Sequence, residues 1–134
     1  MTVQSYAEET AAILDWLDGR WAEHPIAKPN TRFEPPARAP YVEVRINRQT
    51  AFNAAIGSAI RVRHPGLLTL VVRVPVNSGD GLAIDIADDL ASVFRNVRID
   101  GSIQFRAPTV RDFGPSEGWY VVHVDCPFYR NSVF

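Results

Sequence analysis

Leu67-Leu68-Thr69-Leu70-Val71-Val72-Arg73-Val74-Pro75-Val76 is the most hydrophobic stretch of the chain, and its β-branched residues mark it as a strand. It is apolar at consecutive positions, hence on both faces, which places it centrally in a sheet. With Thr69 and Arg73 inside it, the run is too short to cross a bilayer as a helix. Immediately upstream, Pro65-Gly66 is a turn dipeptide. Before it, Ser58 to His64 alternates, with Ile60 and Val62 inward and Arg61 and Arg63 outward, so a tight hairpin is predicted between 58–64 and 67–76. Tyr41 to Arg48 also alternates, with Val42, Val44 and Ile46 on one face. Gln49 to Ala55 reads as a connection carrying one aromatic, Phe52.

Downstream, Asn77-Ser78-Gly79-Asp80-Gly81 leads into a helix from about Leu82 to Arg95, with Ser78 or Asp80 as its cap and Asn96 as its stop. Ala83, Ile86, Ala87, Leu90 and Phe94 form its buried stripe; Asp85, Asp88, Asp89 and Ser92 face water. Asp100-Gly101 is a hairpin turn between Val97-Arg98-Ile99 and Ser102 to Arg106. After a loop, Trp119 to Asp125 is a last strand that Pro127 ends.

Upstream of the strands, residues 5–24 read as a helix. Ser5 and Glu8 have capping-box spacing, Tyr6, Ile13, Leu14, Leu17 and Trp21 form a stripe, and Glu8, Glu9, Asp15 and Asp18 lie mostly opposite it. Pro25 closes this helix, and five prolines within 25–40 leave a stiff extended arm. The fold class that follows is α+β: a mainly antiparallel sheet of about four to six strands with two helices on one face, in a single domain spanning 1–134. The other sheet face, carrying Leu67, Val71, Tyr120 and Val122 or their neighbours, is then an exposed apolar patch or a partner's seat.

Composition narrows the function. At 134 residues, 46% hydrophobic and 22% charged, the chain is an ordinary globular domain and not a disordered tail or a coiled coil. The lone Cys126 excludes an internal disulfide or a multi-cysteine metal site. A net charge of −1 argues against electrostatic nucleic-acid binding by the whole chain, and the first residues show no signal-peptide pattern. Thirteen arginines against one lysine, Lys28, fit either a surface rich in contacts or the codon usage of a GC-rich genome. Residues 41–78 carry five arginines against Glu43 alone, a basic island between acidic flanks, which suits head-to-tail contact between identical copies or is simply a solvated strand face.

Motifs for chemistry are weak. Gly114-Pro115-Ser116-Glu117-Gly118 has the G-x-S-x-G pattern of a nucleophile elbow, but a strand follows where a helix is required. Asn77 to Gly81 resembles a phosphate loop without its Gly-Lys-Ser/Thr ending, and Asp80 would repel a phosphate. His123 and Asp125 share a strand face next to Cys126, but no third metal ligand is near in sequence, so a structural pair is expected. No catalytic residue, metal or cofactor is predicted. Phe128, Tyr129 and Phe134 lie past the last predicted strand, so docking on a neighbour is expected of them, and deletion of 129–134 is expected to weaken assembly and spare the monomer.

The order of segments resembles the small tail terminator (tail completion) proteins of long-tailed bacteriophages. The resemblance lies in the N-terminal helix ending at Trp21 and His24-Pro25-Ile26, Phe33-Glu34-Pro35-Pro36 running into Pro40-Tyr41-Val42-Glu43-Val44, and Gly66 to Pro75. It continues in Gly79 and Gly81 before Ala87-Asp88-Asp89-Leu90 and Phe94, in Pro108-Thr109-Val110, in Gly118-Trp119-Tyr120 and in Pro127-Phe128. It implies a virion protein that forms a hexameric ring at the neck end of the tail. Such a ring caps the tail tube, ends its polymerisation, meets the head connector and lets DNA pass through its lumen without specific binding. The expected assembly interface comprises Arg45, Arg48, Phe52, Arg61, Arg63, Arg111, Phe113, Phe128, Tyr129 and Phe134. Another neck component, or a non-viral ligand-binding domain, is the alternative.

Overall fold

The structure, a computed structural model, describes residues 3–55, 57, 60–78 and 80–133. Two 15-residue strands, β4 (Arg61–Pro75) and β8 (Trp119–Val133), form its spine. They pair antiparallel from Pro75↔Trp119 to Arg61↔Val133. The two prolines expected to stop them are passed without a break. β2 (Tyr41–Arg48) pairs with β4 as far as Gly66, and β3 (Phe52–Ala55) takes over from Arg63. Pro65 falls in the gap between these two partners, where no ladder needs its missing N–H, and its carbonyl accepts from Gln49 N at 3.0 Å. Pro127 repeats the device on β8. β6 (Ile103–Phe105) pairs up to Phe128 and β7 (Thr109–Ser116) starts at Asp125, while the Pro127 carbonyl accepts from Arg106 N at 2.9 Å.

Gly66 is therefore not a turn glycine. It is the cross-strand partner of Phe128, and a Cβ on it would lie 2.4 Å from Phe128 Cζ. Its bare backbone makes room for the Phe128 ring, which is 3% exposed and stacks on Phe105 at 5.1 Å. The predicted 58–64/67–76 hairpin is replaced by one continuous strand; Ser58 itself lies outside the described residues. Two predicted connections are strands as well. Phe52–Ala55 pairs along β4, and much of 107–118 is β7, joined to β8 by a two-residue turn in which Glu117 (φ 51°) and Gly118 (φ 87°) supply the left-handed backbone. Two short strands, β1 (Ile26–Ala27) and β5 (Arg98–Ile99), flank the sheet. Among the described residues the sheet thus has eight strands, more than the four to six expected, in the order β1-β2-β4-β8-β6-β5, with β3 off β4 and β7 off β8. Among the described residues only β1–β2 is parallel. The α+β class stands.

The first helix, α1 (Tyr6–Arg20), is capped as predicted, with Ser5 Oγ accepting from Glu8 N at 3.1 Å. It stops before residue 24 because Trp21 is already extended at φ −147°. Ile13 and Leu17 are buried, but Tyr6 is 41% exposed and Glu9, expected in water, is 1% exposed. The second helix, α2 (Asp80–Phe94), buries the predicted stripe, and Asn96 at φ 52° follows it. The Asp100-Gly101 turn forms as predicted, both residues having positive φ. One hydrophobic cluster joins Ile13, Leu17 and Trp21 to the α2 stripe, to Leu68, Leu70, Val72 and Val74, and to Val122, Val124, Cys126 and Phe128. Trp16 Nε1 donates to the Val93 carbonyl at 3.0 Å and ties the helices together. Each fully buried Leu or Phe here contributes roughly 1.5–3 kcal/mol relative to exposure.

Candidate assembly surface

Strand alternation sends Leu67, Thr69, Val71 and Arg73 away from that cluster. Val71, 0% exposed, sits between its cross-strand partners Glu43 and His123. Val122 and Tyr120, expected on this side, pack with the core cluster; the neighbours Val121 and His123 take their place. The face is not an apolar patch. Glu43 accepts from Arg45 at 2.5 Å and from Arg73 at 2.6 Å. Burial raises the pKa of Glu43, but the hydrogen bonds and charges of these two arginines outweigh it and hold the carboxyl below its ordinary value. Asp125 accepts from Thr69 Oγ1 at 2.9 Å on one oxygen and from Arg111 on the other.

His123 stacks on Phe113 with ring centroids 3.9 Å apart, and its buried Nδ1 has no hydrogen-bond partner. Burial, then the charge of Arg111, lower its pKa against the opposing pull of Asp125. With Tyr41, Arg73, Phe113 and Trp119 it lines a cleft of about 660 Å³. Phe113, on the edge strand β7, is 52% exposed.

A second cleft, of about 330 Å³, lies along the same side of β4 and β8. The Arg63 guanidinium stands 4.4 Å from the Tyr129 ring centroid and that of Arg106 5.2 Å from it. Leu67 and Pro127 line the cleft, as does Phe52, which is 50% exposed.

The largest departure from expectation is a buried charge cluster under α1. Arg130, 1% exposed, donates from Nε to Glu9 at 2.8 Å, and Arg48 donates to the other Glu9 oxygen at 3.2 Å. The Arg48 and Arg130 guanidinium carbons each lie 5.2 Å from the Tyr6 ring centroid, and Tyr6 Oη is 2.9 Å from His64 Nδ1. Tyr6 thus leaves the apolar stripe to cover this cluster. The signal for Glu9 was present: it stands four residues before Ile13 and eight before Leu17, on their stripe. Nothing local in the sequence marks Arg130.

The expected interface residues therefore divide. Arg61, Arg63, Phe52, Phe113 and Tyr129 are exposed or half-buried on strands. Arg45 and Arg111 are exposed but paired to acids. Arg48 serves Glu9, so three of the five arginines of the basic island, Arg45, Arg48 and Arg73, are engaged by carboxylates within the chain, Arg45 and Arg73 sharing Glu43. Phe128 is a core residue, because β8 continues past Pro127 and carries its ring inward. Phe134 lies outside the described residues.

The candidate chemical motifs take structural places. Ser116 ends a strand and pairs with Trp119 across a hairpin turn, without elbow geometry. The Asp125 carboxylate is held by Thr69 and Arg111, and among the described residues no group of three or more His, Cys, Asp or Glu could hold a metal ion. Burial and the Asp125 charge push the Cys126 thiol up to about 12. Gly79 lies outside the described residues. Among those residues no helix is long and apolar enough to cross a membrane.

Residues 8–128 match the family model of phage tail terminator proteins. The chain belongs to the phage tail terminator family. It is thus a structural component of a bacteriophage tail. No curated protein matches the terminator chain in sequence. One solved structure superimposes at a TM-score of 0.71 with 20% identity, covering 98% of this terminator and 99% of its own chain, which shows a shared fold.

Proposed function

We propose that this chain, acting as a single domain, assembles into a hexameric ring at the neck end of the tail. The ring caps the tail tube, stops its polymerisation and presents a docking face to the head connector. Assembly takes place in the host cytoplasm, and DNA passes through the lumen without specific contacts. Both helices cover one sheet face and leave the other, with its two clefts, for contacts in the assembly. The observation that carries this reading is the family match over nearly the whole chain. The half-exposed aromatics Phe52 and Phe113 on the edge strands β3 and β7 support it, because aromatic anchors are what interfaces select.

The test is tube assembly from the purified tail tube protein with and without this chain, with tube lengths measured by electron microscopy. Added terminator is expected to shorten the tubes and to appear as a disc at one end. Unchanged lengths and bare ends would reject the capping role. Placement at the head-connector side of a neck, with no effect on tube length, would favour a connector or head-completion role.

A further inference from the structure

We infer that the cleft formed by Phe52, Arg63, Leu67, Arg106, Pro127 and Tyr129 receives the outer face of α2 from a second copy of this chain, with Leu82 inserted and Asp85 and Asp89 meeting Arg63 and Arg106. This deepens, and rests on, the reading of the chain as a ring-forming protein.

Each of the two surfaces lacks what the other carries. The cleft contains two guanidinium groups and no carboxylate among its lining residues. Arg63 donates to the amide oxygen of Asn131 at 3.0 Å, and both arginines stack on Tyr129. Neither has an acidic partner among the described residues, in contrast to Arg45, Arg48, Arg73 and Arg111. Stacking on one tyrosine holds the two guanidinium planes in place and leaves their remaining N–H donors for anionic acceptors. Between them the lining is apolar, with Leu67 and Pro127 beside Phe52.

The α2 surface is the converse. From Asp80 to Phe94 the helix has aspartates and no basic residue. Asp85, Asp88 and Asp89 are exposed and make no salt bridge among the described residues. Leu82, 38% exposed, precedes Asp85 by three residues and Asp89 by seven, so all three share one helical stripe. A single exposed leucine flanked by carboxylates thus faces outward on one surface. An apolar cleft flanked by unpaired guanidinium groups lies on the other. The core stripe of α2 packs with Leu68 and Leu70, whereas the cleft lies on the Leu67 side of β4, so the two surfaces belong to opposite sides of the sheet. One molecule cannot satisfy both by itself, and a contact between unlike surfaces, repeated with a rotation that closes, builds a ring.

Two charge-reversed proteins test this. One carries Arg63→Glu and Arg106→Glu, the other Asp85→Arg and Asp89→Arg. All four positions are exposed or half-buried, and far-UV circular dichroism and thermal melting check the folding of each. Native mass is then read by light scattering. Each variant alone is expected to lose the oligomer, since each presents like charges at every contact. Their equimolar mixture is expected to regain it, because every contact in an alternating ring then pairs opposite charges. Recovery on mixing cannot come from a folding defect. If either variant fails to fold, the neutral pairs Arg63→Gln/Arg106→Gln and Asp85→Asn/Asp89→Asn replace them, and each must lower the oligomer's affinity at least tenfold. Variants that stay oligomeric, or folded variants whose mixture stays monomeric, overturn this interface and leave the ring reading intact. A wild-type chain that is monomeric at high concentration overturns the ring reading and the interface together.

Discussion

Glu9 and Arg130 hold the least predictable contact in this chain. They are 121 residues apart in sequence, both are 1% exposed, and they lie 2.8 Å apart between α1 and the end of β8. A buried ion pair contributes little net stability, because desolvation offsets much of the attraction, but removing one partner strands the other. Glu9→Ala is therefore expected to destabilise the fold by about 3–5 kcal/mol in urea unfolding, as Arg130 is left without its acceptor. The double change Glu9→Leu/Arg130→Met should recover most of that loss. A double variant as unstable as the two single losses combined would show that the cluster acts by something other than mutual charge compensation. Gly66 illustrates a residue read correctly by type and wrongly by role. A glycine is required there, but for the Phe128 ring across the ladder and not for a turn.

Among the elements, β8 revises the expected behaviour of the C-terminal segment. Residues 129–133 pair with β4 from Pro65 back to Arg61, and Arg130 also pairs with Ile103 of β6. Deleting 129–134 removes that pairing and leaves Glu9 buried without Arg130. Glu9 then keeps only the partly exposed Arg48, and breaking the fully buried half of the cluster costs up to about 3–5 kcal/mol, against a total of 5–15 for a typical domain. The truncated monomer is therefore expected to lose its cooperative thermal transition, contrary to the expectation from sequence that only assembly would suffer. A truncated chain that melts cooperatively at the wild-type temperature would return these residues to a purely interfacial role. The prolines explain why the strand was underestimated. A proline breaks a strand when the neighbour facing its nitrogen demands an N–H, and here Pro65 and Pro127 each sit where the neighbouring strand on that side changes.

For the molecule as a whole, acid should act through two histidines and one carboxylate. The pKa of His64 is lowered by burial and then by the charge of Arg130, against Glu9; that of His123 is lowered by burial and then by Arg111, against Asp125. The folded state then binds these protons more weakly than the unfolded state does. Their stabilising contribution is present above the ordinary histidine value of 6.5 and is lost as pH falls through the lowered folded values. Glu43 adds a second loss at lower pH, since its lowered pKa favours the folded state above 4.5 and that gain disappears as pH falls through the folded value. The melting temperature is expected to drop from pH 7 to pH 5 and again below 4.5. The double variant His64→Gln/His123→Gln should flatten the first drop. A drop of equal size in that variant would assign it to other groups.

What the residues determined by themselves is whatever rests on local spacing. The Ser5 cap, the buried stripe of α2, the Asp100-Gly101 turn, the alternation of β2 and the α+β class all follow from periodicity and turn chemistry within a few positions. The soft succession of these segments was also enough to indicate the tail terminator family. What required the tertiary structure is whatever depends on a partner distant in sequence. The continuity of β4 and β8 through proline depends on which strands lie alongside them, the burial of Glu9 on Arg130, and the charged character of the second sheet face on arginines from β2, β4 and β7. Hydrogen bonds and ion pairs across a sheet are set by register, and register is a property of the assembled ladder, not of any one strand.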